Sequence, residues 1–96
     1  AKAVEGLDPA AEHFRPFRTE SHRMRIYGLR GMKTVLLWLR TKDGGTAENE
    51  SFRFGGRGTA EIYFPLEDRR EALKVEENAW CNLPAVKRSA VIRFVR

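Results

Sequence analysis

Few residues in this chain have the types and spacing that chemistry requires. His13 and His22 are the only histidines and Cys81 is the only cysteine. A metal site draws three or four Cys, His or carboxylate ligands at short spacing, and two histidines with one distant thiol do not supply that set. Neither a metal nor a cofactor is expected. The same residues could form a thiolate and imidazole pair, but nothing orients Cys81 toward either histidine. A single cysteine also leaves no intrachain disulfide. Glycoside hydrolysis needs two carboxyl groups about 5 to 9.5 Å apart around a cleft. Glu76 and Glu77 are adjacent, would face opposite ways on a strand, and fit a turn better. The glycines of FGGRG, residues 54–58, lack the Lys-Ser/Thr and the following helix of a phosphate loop, and turn geometry explains them. No catalytic residue is expected.

Binding is the remaining class. HFRPFR and FRFGGRG interleave aromatic rings with arginine, as a nucleic-acid surface would. The formal charge is +5, with 13 Arg against 5 Lys. The arginines run from Arg15 to Arg96 with acidic residues among them, which is the pattern of a solvated face and argues against nucleic acid. A basic nucleic-acid-binding domain would need its arginines gathered on one face, which the strand parity of Arg23, Arg25, Arg53 and Arg93 permits. A carbohydrate-binding domain would show an aromatic platform, for which Trp38, Tyr63 and Trp80 are the candidates.

The elements that must position these residues are short strands. The 96 residues are 42% hydrophobic and 32% charged, enough for one domain with one modest core. No apolar run approaches the ~20 residues of a membrane helix. The chain opens at Ala1 with neither an initiator Met nor a charged-then-apolar leader, which reads as processing or excision from something longer. Residues 1–21 form a lead-in, with Asp8 and Pro9 starting two helical turns and HFRPFRTESH extended after them. Residues 22–96 form the domain.

Met24, Ile26 and Leu29, with a bulge near Gly28, pair as a hairpin with the strand of residues 33–42. The segments around Phe52 and Phe54 and around Ala60, Ile62 and Phe64 make a second hairpin. A short strand at Leu73 and Val75 follows, and SAVIRFVR is the last. Leu37, Ile62, Phe64, Ile92 and Phe94 point inward. Six or seven short strands with regular turn signals indicate an all-β antiparallel sandwich.

RMRIYGLRGMKTVLLWLR, GTAEIYFPLED and LPAVKRSAVIRFV, in that order and spacing, resemble the small C-terminal β-sandwich that follows the catalytic barrel in many retaining glycoside hydrolases of the mannanase and cellulase kind. The resemblance covers residues 23–96 and rests on packing motifs. Where that pattern has a Y-x-V-E-W-W-D type of run, this chain has RREALKVEENAW. The resemblance implies a non-catalytic accessory domain that packs against a neighbouring catalytic domain of the same parent chain, with a polysaccharide as the nearby substrate.

The apolar run Val35 to Leu39 raises the matching structural question. On a strand Val35, Leu37 and Leu39 share one face, while Leu36 and Trp38 share the other. The first face belongs to the core. The second is expected to lie against another segment, either the lead-in around Phe14 and Phe17, folded back over Trp38, or a neighbouring domain.

Overall fold

A strand that is apolar on both faces belongs in the middle of a sheet, and residues 35–39 are placed there. The computed structural model describes residues 13–96 apart from residue 78. Among these are ten strands: β1 Arg15–Glu20, β2 Met24–Arg30, β3 Thr34–Thr41, β4 Thr46–Ala47, β5 Ser51–Phe52, β6 Thr59–Phe64, β7 Arg69–Leu73, β8 Cys81–Asn82, β9 Val86–Lys87 and β10 Ser89–Val95. Six of them form one sheet in the order β1-β2-β3-β10-β6-β7, while β4 pairs with β9 and β5 with β8. All pairings are antiparallel. The last strand, β10, enters between β3 and β6, so the two most apolar strands form the central pair and expose no backbone edge.

Register assigns the faces. Met24 and Ile26 of β2, Val35, Leu37 and Leu39 of β3, Ala90, Ile92 and Phe94 of β10, and Ala60, Ile62 and Phe64 of β6 share one side. All are buried, and Val35, Leu37, Ile62, Ile92 and Phe94 have no exposed area. The second layer of this all-β sandwich covers them with Ala47, Phe54, Cys81, Leu83 and Val86. Phe54 fixes the contact, its ring stacked on that of Phe94 at 4.8 Å and tilted against Phe52 at 5.0 Å. The inward-pointing set expected from period-two alternation is therefore the observed core.

Within HFRPFRTESH, Arg15–Glu20 form an edge strand, β1, paired along its whole length with β2. Two local expectations are corrected. The expected bulge at Gly28 is absent, since β2 keeps unbroken register with both neighbours. Gly28 instead makes room for Phe17, whose Cζ lies 2.1 Å from where a Cβ would stand. Residues 52–54 form no hairpin with β6; β5 pairs with β8, because Phe52 and Phe54 are needed as the lid on the core. The helical turns expected after Asp8 lie outside the described residues.

Two connections join the layers. Arg88, in the left-handed region at φ 63°, turns the chain from β9 in the second layer into β10 in the sheet. Its N–H donates to the Gly45 carbonyl and its own carbonyl accepts from the Thr41 N–H, both at 2.9 Å. The buried Thr41 hydroxyl donates to the Gly45 carbonyl at 3.1 Å. At Gly58 a Cβ would meet the Val95 carbonyl oxygen at 2.2 Å, so the chain entering β6 passes β10 closely enough to require glycine.

Candidate functional site

The candidate site is the outer face of the six-stranded sheet, opposite the core. Register lays one row straight across it: Arg18, Tyr27, Trp38, Val91, Tyr63 and Arg70, one residue from each strand in spatial order. Three rings and a valine are thus flanked by two arginines. The Arg18 guanidinium lies 5.1 Å from the centre of the Tyr27 ring, and that of Arg70 lies 4.9 Å from the Tyr63 ring. Contacts of this kind contribute about 0.5–1 kcal/mol at exposed positions. Tyr63 donates its hydroxyl to Asp68 at 2.9 Å, a hydrogen bond that raises the phenol pKa.

The adjacent row reads Pro16, Leu29, Leu36, Arg93, Glu61 and Ala72. Leu36 has no exposed area, while Leu29 and Trp38 are half-buried and Tyr27 is 47% exposed. On the other side of the aromatic row, Arg25 stands directly opposite Arg40. Like charges placed so are unfavourable, and among the described residues neither has an ion-pair partner. The acidic residues of the face are engaged: Glu20 with Lys42 at 2.7 Å, which lowers the Glu20 pKa, and Glu61 with Arg70 at 3.0 Å. The surface is an apolar and aromatic strip with a cationic margin.

The residues singled out from sequence divide as follows. Leu36 and Trp38 share the outer face, as their parity required. Phe17 is on the core face, packed at the edge of the core, so it does not fold back over Trp38; an edge strand in register with β2 has no freedom to turn that ring to the other side. Phe14 is half-buried just before β1. Tyr63 joins the row of Trp38, two strands away. Trp80 does not; it is 64% exposed and precedes β8 in the second layer, so the three candidate sugar-stacking rings form no single platform. Arg25 and Arg93 lie on the outer face, whereas Arg53 lies between Phe52 and Phe54 in the second layer.

Sequence reasoning missed Arg18 and Arg70, the two ends of the row. The available signal was that RPFRTE alternates and could pair, which would have placed Arg18 beside Tyr27.

Elsewhere the chemistry-bearing residues stay apart. Cys81 is buried, and burial pushes its thiol pKa up, away from thiolate. Glu76 pairs with Lys74 and Glu77 with Arg57, both at 3.4 Å. Among the described residues no three His, Cys, Asp or Glu side chains gather as metal ligands, and no helix is long and apolar enough to cross a membrane. No family model matches the chain, and no curated protein or solved structure is significantly similar to it.

Proposed function

We propose that this chain is a non-catalytic accessory domain that packs against, and stabilises, a larger catalytic domain of the same parent protein, through the outer face of its sheet. The observation that carries this reading is the strip from Tyr27 to Tyr63: a sheet whose core lies wholly on the other side still sets Tyr27, Trp38, Val91 and Tyr63 side by side on its outer face. The resemblance of residues 23–96 to the β-sandwich behind glycoside hydrolase barrels supplies the partner's class, and the fold agrees with that architecture. Catalysis is assigned to the partner.

The test has two parts. The coding sequence flanking these residues should encode an upstream domain of about 250 residues with alternating strands and helices. In that full-length protein, Trp38→Asp should lower the unfolding temperature of the catalytic domain while the isolated chain stays folded. A flanking sequence without such a domain, or a catalytic domain indifferent to Trp38→Asp, refutes the proposal.

A further inference from the structure

Trp80 is the one large ring that the fold does not use. It is 64% exposed, it is absent from the core cluster, and no ring or cation among the described residues stacks on it. Indole carries one of the largest apolar surfaces of any side chain, so this exposure forgoes burial that a folding role would exploit. The reason is local. Cys81 points into the core from β8, and alternation sends its neighbours Trp80 and Asn82 outward together. With Lys74, Glu76 and Ala79 they line a shallow groove of about 260 Å³, below the roughly 300–1,000 Å³ of sites for drug-sized ligands.

The groove pairs a flat apolar wall with mixed hydrogen-bonding groups. The Asn82 amide both donates and accepts, Glu76 accepts and Lys74 donates, which matches hydroxyls that themselves do both. Lys74 and Glu76 neutralise each other at 3.4 Å, so the groove favours a neutral ligand over an anion. A pyranose with equatorial substituents offers a flat C–H face for the indole and a rim of hydroxyls for the rest. We propose that the Trp80 groove is a subsite for one ring of a neutral, equatorially linked glycan. It belongs to the layer opposite the docking face, so it stays open whether or not that face is covered, and its test is independent of the docking proposal.

The probe is cellohexaose, titrated into the chain carrying Trp38→Phe, so that Trp80 is the sole tryptophan, with ligand-observed NMR in parallel on all variants. One stacked ring predicts a saturable fluorescence change with a Kd on the order of 1 mM. Trp80→Ala, which removes an exposed side chain and leaves the circular dichroism spectrum unchanged, should weaken binding at least about tenfold. Trp80→Tyr, which keeps a stacking ring, should retain most of it. Binding that survives Trp80→Ala, or is abolished by Trp38→Phe, overturns the assignment. So does retention on heparin with no response to cellohexaose, which would mark the chain as a polyanion binder.

Discussion

Whether Phe17 lies on the core face decides how much of the outer face is open, and a double-mutant cycle with Gly28 measures it. An ideal Cβ at Gly28 would stand 2.1, 2.3 and 2.7 Å from Cζ, Cε1 and Cε2 of Phe17, so the ring lies flat over the glycine. Carbon atoms pack at about 3.5–4.0 Å, and Gly28→Ala therefore pushes the ring out by roughly 1.5 Å. Overpacking of this kind costs about 1–3 kcal/mol. Phe17→Ala alone should cost about 1–2 kcal/mol, less than the 3–5 of a fully buried ring because Phe17 is half-buried on an edge strand. With the ring gone, the obstacle is gone. Gly28→Ala in the Phe17→Ala background should then be neutral or stabilise by about 0.5–1 kcal/mol, since glycine inside a strand is disfavoured relative to alanine.

The coupling energy from urea unfolding of the four proteins should therefore be about 2–3 kcal/mol. If Gly28→Ala has the same cost in both backgrounds, within about 0.5 kcal/mol, the two residues do not touch. The ring would then be free to cover Trp38, and the docking face would be closed by the chain itself.

Two further predictions concern the rest of the fold. Gly58→Ala should destabilise the chain by about 1–3 kcal/mol, because the obstacle is the backbone carbonyl of Val95, 2.2 Å from the new Cβ, and no side chain can swing away; a neutral Gly58→Ala in thermal unfolding would show that β6 does not pass β10 as described. Glu67 accepts from Arg69 at 2.8 Å and pairs with Lys87 at 3.3 Å, and the Arg69 hydrogen bond, then that of Lys87, lowers its pKa from 4.5. Its folded pKa lies below the unfolded one, so its contribution is full above about pH 4.5 and fades as pH falls through the folded value. Glu67→Gln should thus lower the unfolding temperature at pH 7 and leave it unchanged at pH 2, and an equal loss at both would show that charge is not the cause.

The sequence makes the core faces legible because period two is a strong signal in strands that pair on both sides. Leu37, Ile92 and Phe94 could be oriented from alternation alone, and so could Leu36 and Trp38 on the opposite face. Partners were less legible, because alternation says which way a residue points and nothing about which strand lies beside it. FRF reads the same whether β5 pairs with β6 or with β8, and only the need to close the core over Phe94 selects the second. Gly28 misled for a related reason: a glycine in a strand marks either a bulge or a close neighbour, and the neighbour was Phe17, on a segment that Pro16 made look like a linker. The aromatic row was hidden by the order β1-β2-β3-β10-β6-β7, which sets Tyr63 beside Val91 although 28 residues separate them in sequence.

The dimensions of the outer face bear on which occupant it suits. Six strands at about 4.8 Å spacing, each near 20 Å long, present roughly 24 by 20 Å, or about 500 Å² per side once covered. An interface of about 1,000 Å² in total lies within the 600–1,500 Å² typical of domains packed within one chain. A single-stranded polyanion would instead have to stack on rings that Arg18 and Arg70 already contact, at Tyr27 and Tyr63, and displacing them forfeits two cation–π contacts before any base stacks. A flat protein surface needs no such displacement. It can bury the arginine stems along with the rings they contact, and it can set carboxylates against Arg25 and Arg40, whose mutual repulsion then becomes a preference for an acidic patch on the partner.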